Sequence, residues 1–378
     1  MKILLIGEIT ELYRGPNLIK YLTDSRENGY IINWYSENYY KLNSKKIKIL
    51  SNIISKVFGL FQLFIGIMFS DVIYILPMNN KRVFYPIAFS KLLKKVIISD
   101  FFISFYDTHV FDRKTVKDHS KKANKYKFLD SFMIRKSDYI VCLAKNDIEH
   151  IIQLLNIQLN ENKVRIIPLG IEEKKVSTHV RQKKFIICWW GSYIPLHGLD
   201  RIILTAKILK ESELDFKLYI FGKDTPKKEK YIKLIKELDL EDVIEVNNDF
   251  SFINGKLEDF LINNCDLALG IFGDSLKAKS VIPHKLIESI AMKIPVLTMD
   301  TYALEEFFDI TKELFVCKNN PEEMAKTIQK FINMPSILIE EKVNRAYDKY
   351  KSLFTIDAYR RNIDNLLHEI QALYFKKK

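Results

Sequence analysis

Short apolar runs alternate with stretches of helical periodicity along this 378-residue chain, and that alternation fixes the fold class before any single residue is considered. Strand-like runs at Lys2–Ile6, Ile31–Tyr35, Val72–Leu76, Val96–Phe101, Tyr139–Cys142 and Val164–Ile167 are separated by helical patterns, among them Lys45–Phe69 and Lys121–Lys136. Alternation at this spacing predicts a parallel sheet covered on both faces. After Pro168-Leu-Gly170 comes Ile171–Lys184, polar and without periodicity, which reads as a linker. A second series follows at Phe185–Trp189, Phe216–Phe221, Val243–Val246, Asp266–Leu269, Val296–Met299 and Leu314–Val316. The expected fold is α/β, with two doubly wound domains at 1–170 and 185–355 facing each other across a cleft that takes a ligand.

Composition removes several classes of protein. A hydrophobic content of 48% and a charged content of 28% describe an ordinary globular chain, not a disordered one. Cys142, Cys188, Cys265 and Cys317 have no metal-ligand or paired spacing and read as small buried residues of a reducing compartment. MKILLIG, followed at once by Glu8 and Glu11, is too short for a signal peptide, and the longest apolar run, Val57–Phe69, is too short to span a bilayer. The helix across Lys45–Phe69 is expected to lie buried against the sheet, its alternative being partial exposure to lipid. Net charge is +12 and uneven: residues 1–172 carry 26 basic against 16 acidic side chains, and Arg113–Lys136 alone holds nine basic residues against Asp118 and Asp130. Such a stretch attracts a polyanion, so nucleic acid, an anionic membrane and a lipid pyrophosphate all qualify. Nucleic acid ranks last because no recognition element accompanies the charge.

Three places carry chemistry. In Asn264–Met299 a strand, a loop with a mobile Gly273, a helix from His284 to Met292 and a second strand form one βαβ unit. Pro283 suits the first turn of that helix, whose free amides then make an anion site, and Lys285 beside them opposes the helix dipole as if a phosphate motivated it. Helical spacing puts Lys285, Glu288, Ser289 and Met292 on one side, expected to face away from the core, and Leu286, Ile287, Ile290 and Ala291 on the buried side. The plain alternative is a Lys285/Glu288 surface pair. The second place is DFFISFYDTHVFDRK at Asp100–Lys114, a strand-end loop in which His109 is a candidate to polarise a hydroxyl and Asp107 to accept its proton. The third is Gly15-Pro16, an unobstructed backbone at a helix start, although no GxGxxG accompanies it.

The second half resembles the nucleotide-binding domain of glycosyltransferase family 4, retaining enzymes of the GT-B fold with two Rossmann-like domains. The resemblance rests on WGSYIPLHGLD at Trp190–Asp200, on Ile220-Phe221-Gly222, on CDLALG at Cys265–Gly270, and most strongly on PHKLIESIAMKIPV at Pro283–Val296. Asp100–Lys114 is similar to the acceptor-side segment of relatives that build bacterial surface polysaccharides. The resemblance implies that Glu288 holds the ribose hydroxyls of a nucleotide donor, and that Gly191 and Gly198 lie under its diphosphate. Ser192 and His197 stand where many relatives have Arg and Lys, so Lys277, Lys279 or Lys285 would take over the diphosphate. Phe272 and Gly273 join the donor-side candidates, Gly15 matches the glycine loop of the first domain, and His109 matches the histidine on the donor-sugar side. Ser280 replaces the first Glu of the family's Glu-x7-Glu pair. Lys293 stands where the family prefers Gly, at a cost of roughly 1 kcal/mol if the backbone there is left-handed. A final helix, about 356–378, would pack back on the first domain.

These readings converge on a retaining glycosyltransferase that moves a sugar from a nucleotide diphosphate sugar to a glycan acceptor, lipid-linked or oligosaccharide, in surface polysaccharide synthesis. No metal or other cofactor is expected, because no DxD pair sits at a strand end. Arg113, Lys114, Lys121, Lys122 and Lys125 would meet the acceptor or an anionic membrane, which places the protein in the cytoplasm on the inner face of the cell membrane. A nucleotide-sugar epimerase of the same fold and a non-catalytic nucleotide-sugar-binding subunit are the alternatives.

Overall fold

The computed structural model describes residues 1–9, 13–24, 31–35, 50–181 and 183–375. Residues 10–12 of the first turn, 45–49 of the expected helix, Gln182 and 376–378 lie outside the described residues. The chain forms two compact units, Met1–Gly170 together with Tyr359–Lys378, and Ile171–Ala358.

The first unit runs β1 (Lys2–Ile6), α1 (Arg14–Asp24), β2 (Ile31–Tyr35), α2 (Leu50–Met68), β3 (Val72–Ile75), α3 (Phe84–Leu92), β4 (Val96–Asp100), α4 (Lys121–Lys136), β5 (Tyr139–Cys142), α5 (Lys145–Leu155) and β6 (Val164–Ile166). Its strands are parallel in the order β2-β1-β3-β4-β5-β6. Val72–Ile75 and most of β1 are buried, because helices cover both faces of the sheet. α1 starts at Arg14, so Gly15 and Pro16 lie inside its first turn and not ahead of it.

The second unit runs β7 (Phe185–Gly191), α6 (Leu199–Glu211), β8 (Phe216–Gly222), α7 (Glu229–Glu237), β9 (Ile244–Asn247), α8 (Lys256–Asn264), β10 (Leu267–Leu269), α9 (Leu276–Ser280), α10 (His284–Ala291), β11 (Val296–Met299), α11 (Tyr302–Glu305), β12 (Phe315–Cys317), α12 (Pro321–Ile332) and α13 (Ser336–Leu353). The parallel order is β12-β11-β10-β7-β8-β9. Strand order therefore reverses between β7 and β10, and in such sheets a ligand is received beyond the carboxyl ends at that point. Helix α14 (Ile356–Phe375) closes the chain, and its Tyr359, Ile363, Leu366 and Ile370 complete the apolar core on one face of the first unit's sheet.

Two sequence expectations change here. The described residues of 171–184 contain no helix or strand apart from the bridge of Ile171 to Thr355, yet they are fastened to the second unit. The Ser177 amide donates to Met292, the Lys174 ammonium lies 3.0 Å from Glu258, and His179 Nε2 is 3.0 Å from Asp266 Oδ1. Side-chain bonding of this kind leaves no periodic signature. Among the described residues helix α2 buries Gly59, Leu63 and Ile67 and meets α3 through Phe64 and Phe89, while Phe58 and Phe61 are exposed, so the helix is only partly covered. Lys293 has φ 55°, the left-handed backbone at which its Cβ is strained. Its ammonium, 2.9 Å from Asn344 Oδ1 and 4.7 Å from the Tyr347 ring centroid, recovers part of that cost.

Candidate functional site

The loops after β7 and β10 flank the strand-order reversal of the second unit, and they are fastened to each other. The Phe272 amide donates to the His197 carbonyl at 3.1 Å and the Gly273 amide to the Leu196 carbonyl at 3.2 Å. A Cβ on Gly198 (φ 62°) would lie 2.3 Å from the Phe272 carbonyl oxygen, so glycine is what lets these two backbones meet. Gly273 is buried in this contact and is not the mobile hinge that its sequence context suggests. The Phe272 ring is fully buried in the core of the unit, which removes its side chain from the donor-side candidates. Ser192 is exposed at the tip, and its carbonyl accepts from His197 Nδ1 at 2.6 Å. A carbonyl can only accept, so Nδ1 carries the hydrogen.

Helix α10 faces this loop pair, and its polar side is not solvated. Lys285, Glu288, Ser289 and Met292 are all buried, against the expectation that this side faces away from the core. The spacing argument identified two sides correctly but could not show that β7 and its Trp pair would cover the polar one. Glu288 Oε2 accepts a hydrogen bond of 2.8 Å from the Trp190 indole, at the end of β7. The Lys285 ammonium lies 4.2 Å from the centroid of the Trp189 ring and has no hydrogen-bond partner among the described residues, so it is not the surface partner of Glu288. Burial pushes Lys285 well below the usual lysine range, with Glu288 acting the other way. A Cβ on Gly191 would lie 3.2 Å from this ammonium and 2.8 Å from His197 Cε1, so the bare glycine backbone, the cation and the imidazole converge.

Of the other donor-side candidates, Lys277 is buried and Lys279 exposed, both on the short helix α9. Ser280 is buried, and its hydroxyl donates to the Lys277 carbonyl at 3.2 Å. It is turned back into its own helix and replaces no carboxylate. Trp189 and Trp190, which sequence reasoning did not single out as site residues, are the groups that fix Lys285 and Glu288. Two adjacent tryptophans before Gly191 were the available signal.

In the first unit the loop after β4 winds into a π-helical turn at Asp107–Asp112, with the Arg113 amide donating to the Thr108 carbonyl at 2.9 Å. His109 is half-buried, stacks on Tyr126 at 5.1 Å between ring centroids, and has Nδ1 at 2.9 Å from the Thr115 hydroxyl. Asp107 is buried, with Oδ1 3.4 Å from Nε2 of His150 on α5, a neighbour that sequence reasoning did not name. The group that shapes the loop is Asp130 of α4, also missed. Its carboxylate accepts from Asn80 Nδ2 at 2.8 Å, the Ser104 hydroxyl at 2.7 Å and the Tyr106 amide at 2.9 Å. Gly15 lies buried in α1, next to Arg14. Among the described residues no three His, Cys, Asp or Glu side chains gather as a metal site.

Burial raises Asp130 to about 6, partly opposed by those three hydrogen bonds. The folded value lies above that of an unfolded Asp, so the contribution of this group to stability is full below about pH 4 and is lost as pH rises through 6. Wild type is expected to gain up to about 3 kcal/mol over Asp130→Asn between pH 7 and pH 4. Urea unfolding of both proteins across that range measures it; a pH-independent difference would show that Asp130 does not titrate with folding.

The two parallel-sheet α/β units form the GT-B architecture seen in glycosyltransferase structures. Residues 170–352, nearly all of the second unit, match the model of the family described as Glycosyl transferases group 1. Among solved structures the chain is similar to the sucrose-phosphate synthase of Thermosynechococcus elongatus, at 10% identity and a TM-score of 0.71, covering 99% of this chain and 100% of that one. It is similar to Alr3699/HepE of Anabaena, solved in complex with UDP and glucose, at 12% identity and a TM-score of 0.70, covering 98% and 100%. The lipopolysaccharide outer core galactosyltransferase WaaB matches at 15% identity and a TM-score of 0.64, covering 98% and 99%. No curated protein matches the chain in sequence.

Proposed function

We propose that the chain is a retaining glycosyltransferase of the family 4 type, which moves a sugar from a nucleotide diphosphate sugar to a lipid-linked glycan in surface polysaccharide synthesis. The observation that carries the donor half is Lys285, a buried ammonium without a hydrogen-bond partner among the described residues, beside the bare backbone of Gly191. A buried cation in that state is costly until an anion arrives, and phosphate oxygens at the strand-order reversal supply one. The reading gives Glu288, held by Trp190, the ribose hydroxyls, and HepE, of the same fold, was solved with UDP and with UDP-glucose. Positive charge at Lys285 then stabilises the departing diphosphate, which takes the proton of the acceptor hydroxyl, so the reading assigns no metal and no dedicated base. The reading assigns His109 of the first unit to the side of the transferred sugar.

The acceptor half draws support from the nine basic residues of Arg113–Lys136 and from WaaB, which acts on lipopolysaccharide outer core. The reading places the protein in the cytoplasm against the cell membrane; no helix among the described residues is long and apolar enough to cross one. Product analysis tests it. With donor and a lipid-linked acceptor the glycan gains one sugar whose anomeric configuration matches the donor's. An isomerised donor in the absence of acceptor would instead make the protein an epimerase, and inverted product would overturn the retaining assignment.

A further inference from the structure

An unbroken chain of aromatic rings crosses the outside of three helices in the first unit. Phe64 of α2 meets Phe89 of α3 at 5.5 Å, Phe89 is 6.2 Å from Tyr85, Tyr85 is 5.5 Å from Phe84, and Phe84 is 5.4 Å from Phe132 of α4, which meets Phe128 at 5.8 Å. Phe84, Tyr85 and Phe128 are each about half exposed, whereas Phe64, Phe89 and Phe132 are half-buried, Phe89 and Phe132 packing on the cores beneath; by helical spacing Phe58 and Phe61 of α2 and Leu92 of α3 extend the row at 51%, 60% and 71% exposure. A connected exposed surface of this size marks an interaction site on a soluble protein.

Charge says what kind. Helices α2 and α3 contain no acidic residue, and the single one on α4, Asp130, is buried. On α4, helical spacing places exposed Lys121 and Lys125 on the stripe of Phe128 and Phe132, with exposed Lys136 at its other end. Lys91 of α3 is already paired with Asp138 at 2.7 Å, so among the described residues the unpaired basic rim lies on α4. Aromatic rings in the middle, long basic side chains on α4 and no exposed carboxylate on the three helices suit the boundary of an anionic bilayer, where rings settle among acyl chains and lysines reach the headgroups. A second copy fits poorly, since a two-fold contact would set like-charged rims against each other.

We propose that this face of α2, α3 and α4 is an interfacial docking surface for an anionic lipid bilayer, entered by Phe58, Phe61 and Phe128 and held by Lys121, Lys125 and Lys136. The proposal deepens the acceptor half of the reading above, on which its biological meaning rests. Lipid binding itself is measured without any donor.

The test is co-sedimentation of the full chain with vesicles of phosphatidylcholine alone and with a third of phosphatidylglycerol. Binding is expected only to the anionic vesicles and should fall with added salt. Phe58→Ser/Phe61→Ser, two exposed positions whose replacement leaves the core intact, should lower the partition coefficient by about tenfold or more. Lys121→Gln/Lys125→Gln should lower it by about tenfold while leaving nucleotide-induced thermal stabilisation unchanged. Equal binding to neutral and anionic vesicles, or none to either, overturns the proposal. So does a concentration-dependent dimer that Phe58→Ser/Phe61→Ser abolishes. Lipid binding without any nucleotide response supports this proposal and fails the donor reading alone, so the two are separable.

Discussion

Glu288→Ala is expected to abolish most of the stabilisation that a nucleoside diphosphate gives the wild-type protein. A ligand at a hundred times its dissociation constant adds about 2.7 kcal/mol to the folded state, readily seen as a rise in melting temperature across a panel of nucleoside diphosphates and their sugars. One carboxylate accepts from two neighbouring hydroxyls, so removing it strips the ribose contact at a stroke. The variant also leaves the buried Trp190 indole without its acceptor, which costs about 1–3 kcal/mol of stability even with no ligand present. Glu288→Gln separates the two effects. Its amide oxygen still accepts from Trp190, so ligand-free stability returns, whereas the second carboxylate oxygen becomes a donor and ribose binding does not return in full. If no nucleotide stabilises the wild type, the donor assignment fails; if Glu288→Ala keeps the full shift, the ribose role of Glu288 fails.

Asp100→Ala is expected to destabilise the first unit by about 3–5 kcal/mol, because it strands a buried guanidinium. Arg14 is almost fully inaccessible, and its Nε lies 2.7 Å from each Asp100 oxygen, while Nη1 donates to the Ile167 carbonyl at 2.7 Å. Burial pulls Arg14 down, but Asp100 together with Tyr359 and Tyr74 more than offsets it and holds Arg14 above even its usual high value, so the guanidinium stays charged and cannot escape by losing its proton. Tyr74 would lose its acceptor as well, since its hydroxyl reaches Asp100 Oδ2 at 3.2 Å. Replacing both charges, Arg14→Met with Asp100→Leu, should recover much of the loss, as apolar replacements of buried pairs usually do. Denaturant titration of the single and double variants decides it: a single variant within 1 kcal/mol of wild type would mean that water or a neighbouring group relieves the charge, and the pair is not a structural fixture.

These cases show where the sequence stops being informative. Gly191 and Gly198 were singled out through the resemblance, and Lys285 and Glu288 through helical spacing as well. What holds them was not visible in one dimension. Trp189 read as the last residue of a strand and Trp190 as the first of the motif that carries the resemblance, and only the placement of β7 beside α10 turns them into the partners of Lys285 and Glu288. Asp130 looked like a rare acid on a basic helix, and only folding brings it to the Ser104 hydroxyl and the Tyr106 amide. Arg14 and Asp100 lie 86 residues apart, a separation over which no local pattern reports a contact. The error on α10 has the same root: helical periodicity gives the sides of a helix but not what packs on them.

The sequence by itself determined the strand and helix alternation, the α/β class and the positions of the glycines, because these follow from local periodicity and backbone sterics. Only tertiary packing decided that the polar side of α10 is buried, that Asp107 faces His150 and that aromatic rings from three helices join into one partly exposed row. Burial and long-range pairing are properties of neighbours distant in the chain, and those neighbours exist only once the sheets have assembled.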